Sequence, residues 1–317
     1  MSPGSKNSSN GSERRRLVAR KPNLWLRARI IQAMRRFFIQ RHYLEIETPY
    51  LVPAPAPEAH IDAFNAGNGF LHTSPELCMK RLLAADYPKI FQICKCFRQS
   101  ERGDRHLPEF TILEWYRTGI DYGDLMDECE EMIIGLSHGF GRGKVIGYQG
   151  LKIHLESPWD RISVRAAFQR FTSISMAKAL EYGRFDEVMV NEIEPHLGNS
   201  KPAFLYDYPA SLGALSRLKE NDPTLAERFE LYIGGLELAN GFSELTDAAE
   251  QETRFEKEQQ TRRELGKTVY PMPEKFLQAL RYMPRAAGIA LGVDRLAMVF
   301  ADTTSVNDVV TFTPEEL

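Results

Sequence analysis

Two β-hairpins with helical stretches between them constrain the fold of this chain more than any other feature. The first joins a strand at 89–98 to a strand at 109–117 through a polar loop. The second lies within RFELYIGGLELANGF, residues 228–242, where the Gly-Gly pair forms a two-residue turn that tolerates positive φ. Because consecutive strands pair with each other instead of alternating with helices, we predict an α+β domain with an antiparallel sheet flanked by helices.

Apolar residues at helical spacing predict the helices that flank this sheet. The expected helices cover 24–42, 75–84, 122–138, 164–171, 247–265, 274–281 and 294–300. Asn23 is the expected N-cap of the first of them. A strand is expected from Tyr43 to Val52, interrupted by Pro49, which lacks an amide donor and suits a sheet edge or an interface. The segment VPAPAPEAH that ends this strand is expected to be a loop.

Composition and charge limit the class of protein. The 317 residues are 43% hydrophobic and carry a formal charge of −3, which suits one large domain or two small ones. No stretch approaches the run of about 20 apolar residues that spans a membrane, so no membrane association is expected. Residues 1–20 are polar, then basic, and lack the apolar segment of a signal peptide, which predicts a disordered tail on a cytoplasmic protein.

The four cysteines form no C-x-x-C pair. Cys94 and Cys96 lie two residues apart on one face of a strand. Small buried thiols are favoured over a metal site or a disulfide. The seven histidines show no metal-ligand spacing.

The second hairpin brings two carboxylates together. Pairing outward from the Gly-Gly turn sets Tyr232 opposite Glu237, and Glu230 lies two residues before Tyr232 on the same face. Glu230 and Glu237 are therefore predicted diagonal neighbours, whose like charges repel unless a cation lies between them. Mg²⁺ that also contacts substrate phosphates would fill this role. A pair of solvated surface glutamates is the alternative.

The first hairpin carries an aromatic ring, a carboxylate and a phenol on one face. Phe110, Ile112, Glu114 and Tyr116 alternate on this strand and suit a ligand with a flat base and an ammonium group. Arg98 ends the partner strand, where its guanidinium could hold a phosphate. An ion pair between this arginine and a neighbouring glutamate is equally compatible with the pattern.

A third segment, GIALGVDRL at 288–296, combines a close-approach glycine with a cation. Gly292 would let a backbone or ligand come near, and Arg295 enters a helix directly afterwards. The segment is not the G-x-G-x-x-G dinucleotide fingerprint, and the chain contains no G-x-x-x-x-G-K-[ST] P-loop. ATP would therefore be bound by other means.

Together these segments resemble the three signature motifs of class II aminoacyl-tRNA synthetases. Helix 24–42 with LEIETPYLV is similar to motif 1, FRQSERGDRHLPEFTILEWYR to motif 2, and GIALGVDRLAMVF to motif 3. The segments TSPELCMKRLL and ELYIGGLELANGFSELTD resemble the lysine-enzyme branch. The resemblance extends from about Pro22 to the end, which predicts that residues 21–317 are one class II catalytic domain.

The resemblance implies ATP and Mg²⁺ as cofactors and assigns roles to individual residues. Arg98 and Arg295 would be catalytic, holding the α- and γ-phosphates of ATP. Other contacts with ATP would come from Gln99, Ser100, Glu101, His106, Phe110, Glu237, Leu238 and Gly292. The amino-acid pocket would be lined by Ser74, Pro75, Glu76, Glu114, Tyr116, Asn240, Phe242, Glu244 and Ala290. The metal would be bound by Glu230 and Glu237.

One position departs from the family pattern. The family usually has glutamate two residues after the motif 2 arginine, where it helps to hold adenine. This chain has Ser100 there, followed by Glu101. The contact with adenine is therefore expected to move to Glu101 or to backbone groups.

Within the lysine branch, local features favour the free-standing ligases that attach (R)-β-lysine to elongation factor P. Residues 1–23 are too few for the anticodon-reading OB-fold of a lysyl-tRNA synthetase. Ala290 replaces the glycine typical of the synthetases, and PASLGALS at 209–216 resembles the free-standing ligases. The expected partners are elongation factor P and a second copy of the chain bound through 24–52, with no stable tRNA complex. A truncated synthetase that charges tRNA or another small acceptor, and a catalytically silent module, stay open.

Overall fold

A computed structural model describes residues 6–317, with side chains from residue 13 onward. The helices are α1 Lys6–Gln40, α2 Glu76–Leu83, α3 Tyr122–Gly139, α4 Val164–Phe171, α5 Met176–Glu181, α6 Phe185–Val188, α7 Ala248–Glu264, α8 Glu274–Leu280 and α9 Val293–Ala301. The strands are β1 Leu44–Glu45, β2 Leu51–Val52, β3 Asn65–Ala66, β4 Gly69–Leu71, β5 Lys89–Phe97, β6 Glu109–Thr118, β7 Val145–Tyr148, β8 Leu151–His154, β9 Asp160–Ser163, β10 Ala203–Pro209, β11 Leu225–Ile233, β12 Leu236–Ser243 and β13 Ala286–Gly292. None of the described helices is long and apolar enough to cross a bilayer.

An eight-stranded sheet in the order β1-β5-β6-β13-β12-β11-β10-β9 forms the centre of the molecule. The two predicted hairpins, β5–β6 and β11–β12, are confirmed, and the interior strands pair antiparallel. The two edge pairs, β1 with β5 and β9 with β10, are parallel. The predicted α+β class is confirmed, and β13 lies between the two hairpins so that their faces join into one surface.

One face of this sheet is covered by helices α1, α3 and α9. Leu113 and Trp115 of β6 project into this core, opposite the face predicted to contact a ligand. The ring of Phe38 from α1 lies 5.1 Å from that of Trp115. Burial of these large apolar side chains is the main force that fixes the sheet against the helices. The opposite face of β6 carries the polar side chains that are predicted to contact a ligand.

Helix α1 begins earlier than the sequence pattern indicates. It starts at Lys6 and not at 24, and Asn23 donates to the carbonyl of Asp308 at 3.2 Å instead of capping a helix. Arg16 and Arg20 pair with Glu316 at 3.4 and 2.7 Å, so this extension packs on the C-terminal segment. The expected disordered tail therefore differs from the structure over 6–20, and residues 1–5 lie outside the described part of the chain.

The predicted strand from Tyr43 to Val52 is wrong as a single element. Leu44–Glu45 pairs parallel with β5 in the main sheet, whereas Leu51–Val52 pairs with β4 in a separate three-stranded sheet. Pro49 lies between them and provides no amide donor for continuous pairing. The other helices predicted from the periodicity are confirmed to within a few residues, and the VPAPAPEAH segment is the expected loop except at Val52.

Candidate active site

A cavity of about 430 Å³ opens over β6, β13 and β12 on the sheet face away from the main core. The predicted residues that line it are Ser74, Glu76, Arg98, Glu101, His106, Phe110, Glu114, Tyr116, Glu237, Leu238, Asn240, Phe242, Ala290, Gly292 and Arg295. Those outside its lining are Pro75, Gln99, Ser100, Glu230 and Glu244. Three strands distant in sequence therefore bring most of the predicted residues to one surface.

Glu114 is held rigidly at one end of this cavity. Its two carboxylate oxygens accept hydrogen bonds from the Ser74 hydroxyl at 2.6 Å and from the Tyr116 hydroxyl at 2.8 Å. Burial and the nearby charge of Glu76 raise the pKa of Glu114 to about 7 in spite of these donors. Ala290 lies directly opposite Glu114 in the strand register, so its methyl group shapes the same part of the cavity.

The buried Lys80 neutralises part of the acidic charge at this end of the cavity. Its ammonium group lies 2.5 Å from a carboxylate oxygen of Glu76 and 2.5 Å from one of Glu244, with the lysine and Glu244 side chains 1% and 0% exposed. Glu244 nevertheless keeps a buried Oε1 without a hydrogen-bond partner among the described residues. Burial raises the pKa of Glu244 to about 8. One lysine therefore does not satisfy the acidic groups at this end.

Gly288 lets the Tyr116 ring and the Glu244 carboxylate pack directly against the backbone of β13. A Cβ atom at this position would lie 2.2 Å from the Tyr116 ring and 2.5 Å from Oε1 of Glu244. No side chain can be accommodated there without moving both neighbours. The glycine thus allows the close packing of Tyr116 and the buried Glu244 carboxylate against this strand.

Arg98 provides an unsatisfied cation at the other end of the cavity. Its Nε is buried without a hydrogen-bond partner among the described residues, and its ion pair with Glu101 is long, at 3.7 Å. The guanidinium lies 5.1 Å from the centre of the Phe110 ring. A buried donor on a cavity wall requires an acceptor, and a phosphate or carboxylate oxygen meets that need.

The backbone conformation of the motif 2 loop determines which of its side chains line the cavity. Ser100 has φ +66°, a left-handed conformation that turns the chain and leaves its side chain outside the cavity. Gln99 is held by its backbone amide, which donates to the Asp62 carbonyl at 2.6 Å. Glu101, which follows, does line the cavity. The position of Glu101 is compatible with the shifted adenine contact expected from sequence.

Arg295 connects motif 3 to the second hairpin. It donates to the Glu237 carboxylate at 3.1 Å and to the Glu237 carbonyl at 2.8 Å, and its other terminal nitrogen lies 2.5 Å from Nε2 of His106. Burial and the positive charge of Arg295 lower the pKa of His106, so the imidazole is neutral and accepts this bond. The arginine is fixed at the cavity wall by both partners.

The predicted carboxylate pair lies where the hairpin geometry placed it, with one difference. Tyr232 pairs with Glu237 as expected, but a bulge then sets Glu230 opposite Asn240. Burial and the charge of Glu237 raise the pKa of Glu230, with Arg228 opposing this. The guanidinium of Arg228 donates to Glu230 at 2.6 Å. Arg228 and Arg295 therefore place cationic charge beside Glu230 and Glu237.

Two carboxylates at this end suit Mg²⁺, which takes one or two carboxylate ligands together with phosphate oxygens. A third carboxylate lies near them. Burial and the charges of Glu230 and Glu237 raise the pKa of Glu194 to about 7. The closeness of three carboxylates, two of them joined by the Tyr232 hydroxyl at 2.6 and 3.4 Å, fits a divalent cation.

Sequence reasoning missed four groups of the site. Arg228 lies two residues before Glu230 on the same strand face, and this periodicity could have revealed it. It also donates to Asn240 at 3.2 Å and to the Leu212 carbonyl at 2.9 Å, so it positions other residues of the site. Lys80 lies four residues after Glu76 on α2, and this helical spacing could have revealed it. Glu194 and a loop glutamate, Glu58, reach the site through long-range folding and gave no local signal.

Pro75 was expected in the amino-acid pocket, but it has a structural role. It precedes α2, and its carbonyl accepts from the amides of Cys78 and Met79 at 3.0 Å. This start of the helix places Glu76 at the cavity. All four cysteines are free, with Cys94 and Cys96 buried as expected.

Comparison with known proteins now identifies the family. A family model described as tRNA synthetases class II (D, K and N) matches residues 14–316. The chain belongs to this class II tRNA synthetase family. Two curated relatives are each named Elongation factor P–(R)-beta-lysine ligase, from Salmonella gallinarum (strain 287/91 / NCTC 13346) and Salmonella heidelberg (strain SL476). Each is 39% identical to the chain over 308 residues, covering 92% of the chain and 95% of the relative.

Membership of the class II family accounts for the arrangement of the sheet. The antiparallel strands, the arginines from motifs 2 and 3 and the carboxylate hairpin are the parts that the resemblance predicted. The class II assignment made from sequence is therefore confirmed for nearly the whole chain.

Proposed function

We propose that this protein activates (R)-β-lysine with ATP and transfers it to a lysine side chain of elongation factor P. The observation that carries this proposal is the excess of buried carboxylate at one end of a cavity whose other end holds unsatisfied arginine. Such a site is electrostatically complementary to a dicationic amino acid beside a polyphosphate. The names and coverage of the curated relatives supply the choice of amino acid and acceptor.

In the first step, a carboxylate oxygen of the amino acid attacks the α-phosphorus of ATP. A P–O bond forms to the amino acid, the bond to the β-phosphate oxygen breaks, and pyrophosphate leaves. Arg98 is proposed to hold the α-phosphate and Arg295 the γ-phosphate, with Phe110 stacked on adenine. These charges are fixed before the reaction, which is the main way such sites stabilise charge that develops in the transition state.

Mg²⁺, held by Glu230 and Glu237, would supply charge neutralisation at the phosphates. Tyr232 donates to Glu230 at 2.6 Å, and Arg295 donates to Glu237. Together with the bond from Arg228 to the other oxygen of Glu230, they fix both carboxylates and leave only Oε1 of Glu237 without a donor among the described residues. Orientation of metal ligands by such neighbours improves both affinity and geometry.

In the second step, the uncharged amine of an acceptor lysine attacks the carbonyl carbon of the adenylate. A C–N bond forms, the bond from that carbon to the phosphate oxygen breaks, the amine nitrogen loses one proton to solvent, and AMP leaves. The acceptor must dock over the cavity, because water would otherwise hydrolyse the adenylate. Since the proposed acceptor is a translation factor, the proposed place of action is the cytoplasm.

We expect ATP–pyrophosphate exchange with (R)-β-lysine to exceed that with α-lysine by about 10- to 100-fold in kcat/KM. The methyl group of Ala290 beside Glu114 changes the shape of the pocket, and differences of one small group are worth about this much. Initial rates with each amino acid at fixed Mg²⁺ and ATP measure the ratio. Absence of exchange with both compounds would refute the enzyme assignment.

We also propose a homodimer through residues 24–52. Large apolar side chains are exposed along this segment: Trp25, Ile39, Leu44, Tyr50 and Leu51. Large exposed apolar side chains concentrated in one segment favour an interface, and a two-fold dimer is the commonest closed arrangement. Sedimentation velocity at micromolar concentration should give a dimer, and a Trp25→Glu variant should shift it toward monomer. A wild-type protein that sediments only as a monomer would contradict the proposal.

A further inference from the structure

The loop between β2 and β3 carries a carboxylate to the mouth of the cavity. Glu58 lines the cavity together with Glu76 and Arg98. Its side chain is only partly exposed, and it makes no hydrogen bond or ion pair within the part of the chain that the structure describes. A shielded carboxylate without a partner beside a substrate cavity calls for a cation from the substrate.

The loop that carries Glu58 is held in place. Arg262 of α7, whose side chain is 1% exposed, donates to the carbonyls of Glu58 at 2.6 Å and Ile61 at 3.0 Å. The same guanidinium pairs with Asp62 at 2.7 Å. The amide that follows, that of Ala59, donates to Glu258 at 2.7 Å. The position of the Glu58 carboxylate is therefore set by the fold, without any side-chain partner of its own.

Charges around Glu58 identify which part of a substrate it meets. Burial and the charge of Glu76 raise the pKa of Glu58 to about 7, Arg98 and Arg228 oppose this, and Glu258 adds to it. Glu58 thus lies near both the carboxylate of Glu76 and the guanidinium proposed to hold the α-phosphate, and all three line the cavity. The reacting carboxyl group of the amino acid must be at this end, because it forms the bond to that phosphorus.

We propose that Glu58, together with Glu76, binds the ammonium group nearest the reacting carboxyl group of the amino acid. This inference rests on the proposed function and names a specificity-determining contact in it. The distal ammonium is left to Glu114 and to Glu244, which lies next to Glu76 through their shared contact with Lys80. Glu76 is already engaged by Lys80 at 2.5 Å, whereas Glu58 has no side-chain partner within the described residues, so its carboxylate is available to the substrate ammonium. A 3-amino acid carries its ammonium group one carbon farther from the carboxyl group than a 2-amino acid does. Glu58, as a second carboxylate beside Glu76, would extend the binding site for that ammonium group.

The test is a Glu58→Gln variant assayed by ATP–pyrophosphate exchange with (R)-β-lysine. We expect KM for the amino acid to rise about 10- to 100-fold, as for loss of a charge-assisted hydrogen bond, with kcat and KM for ATP changed less than about threefold. With 6-aminohexanoic acid, which lacks the ammonium in question, variant and wild type should differ by less than about twofold. Glu58→Asp should recover part of the affinity. Glu252→Gln, on the exposed face of α7, is the matched control and should change nothing.

Calorimetric titration of (R)-β-lysine into the Glu58→Gln protein gives the same comparison without turnover. An unchanged KM and dissociation constant would overturn the inference. An unchanged KM together with slowed transfer to an acceptor amine would also overturn the inference, because Glu58 would then act on the acceptor and not on the amino acid. Failure of the wild-type protein to exchange with any lysine-like amino acid would refute the proposed function itself, whereas normal wild-type exchange with an unaffected variant refutes only the role of Glu58.

Discussion

The Glu237→Gln variant should lose ATP–pyrophosphate exchange by at least about 100-fold while keeping its fold. The substitution removes a negative charge beside the proposed metal and weakens the carboxylate that fixes Arg295 at 3.1 Å. The fold should survive because the amide has nearly the same volume and the side chain is 37% exposed. The backbone pairing of Glu237 with Tyr232 does not depend on the carboxylate.

Two measurements distinguish a metal role from a general loss of activity. The Mg²⁺ concentration for half-maximal residual exchange should rise in Glu237→Gln, whereas KM for the amino acid should stay within about threefold, since this glutamate lies at the phosphate end. Glu252→Gln makes the same change of charge on an exposed face and should behave as wild type. Near-normal exchange in a folded Glu237→Gln protein would remove the metal assignment.

Acidification should weaken amino-acid binding more than ATP binding. The carboxylates of Glu114 and Glu244 have pKa values raised to about 7 and about 8, chiefly by burial. Each must be ionised to bind an ammonium group, so binding is complete above these pKa values and is lost as the pH falls through them. The expected slope is about a tenfold rise in KM per pH unit for each group that must lose a proton.

The measurement is KM for (R)-β-lysine in pyrophosphate exchange between about pH 8.5 and about pH 6, with KM for ATP followed in parallel. We expect the amino-acid KM to rise steeply below about pH 7.5, and a Glu114→Gln variant to bind more weakly with a shallower pH dependence. A flat amino-acid KM over this range would show that the buried carboxylates do not hold the substrate ammonium groups.

Local periodicity was enough to predict the strand face of β6 and the turn of the second hairpin. Alternation placed Phe110, Glu114 and Tyr116 on one side, and the structure puts all three at the cavity. The Gly234-Gly235 turn fixed the first two residue pairs, with both glycines at positive φ. The bulge after Tyr232 could not be predicted, because it adds a residue without any local sequence signal and moves Asn240 opposite Glu230.

Charge balance in the site depended on contacts that no local pattern contains. Lys80 meets Glu244 across 164 residues, and Glu58 reaches the cavity through a loop held by Arg262 of α7. Such pairings follow from the packing of α2 on β6 and of α2 and α7 on α8, which is a property of the whole fold. The same is true of the α1 extension, where Arg20 meets Glu316 near the opposite end of the chain.

The identity of the acceptor tests the central claim most directly. Enzyme, ATP, Mg²⁺ and labelled (R)-β-lysine are incubated with purified elongation factor P in one reaction and with total tRNA in another. The proposed function predicts label on one lysine of elongation factor P, in an amide that survives mild base, and none on tRNA. Label on tRNA with none on the protein would contradict the proposal and favour a truncated synthetase that charges tRNA.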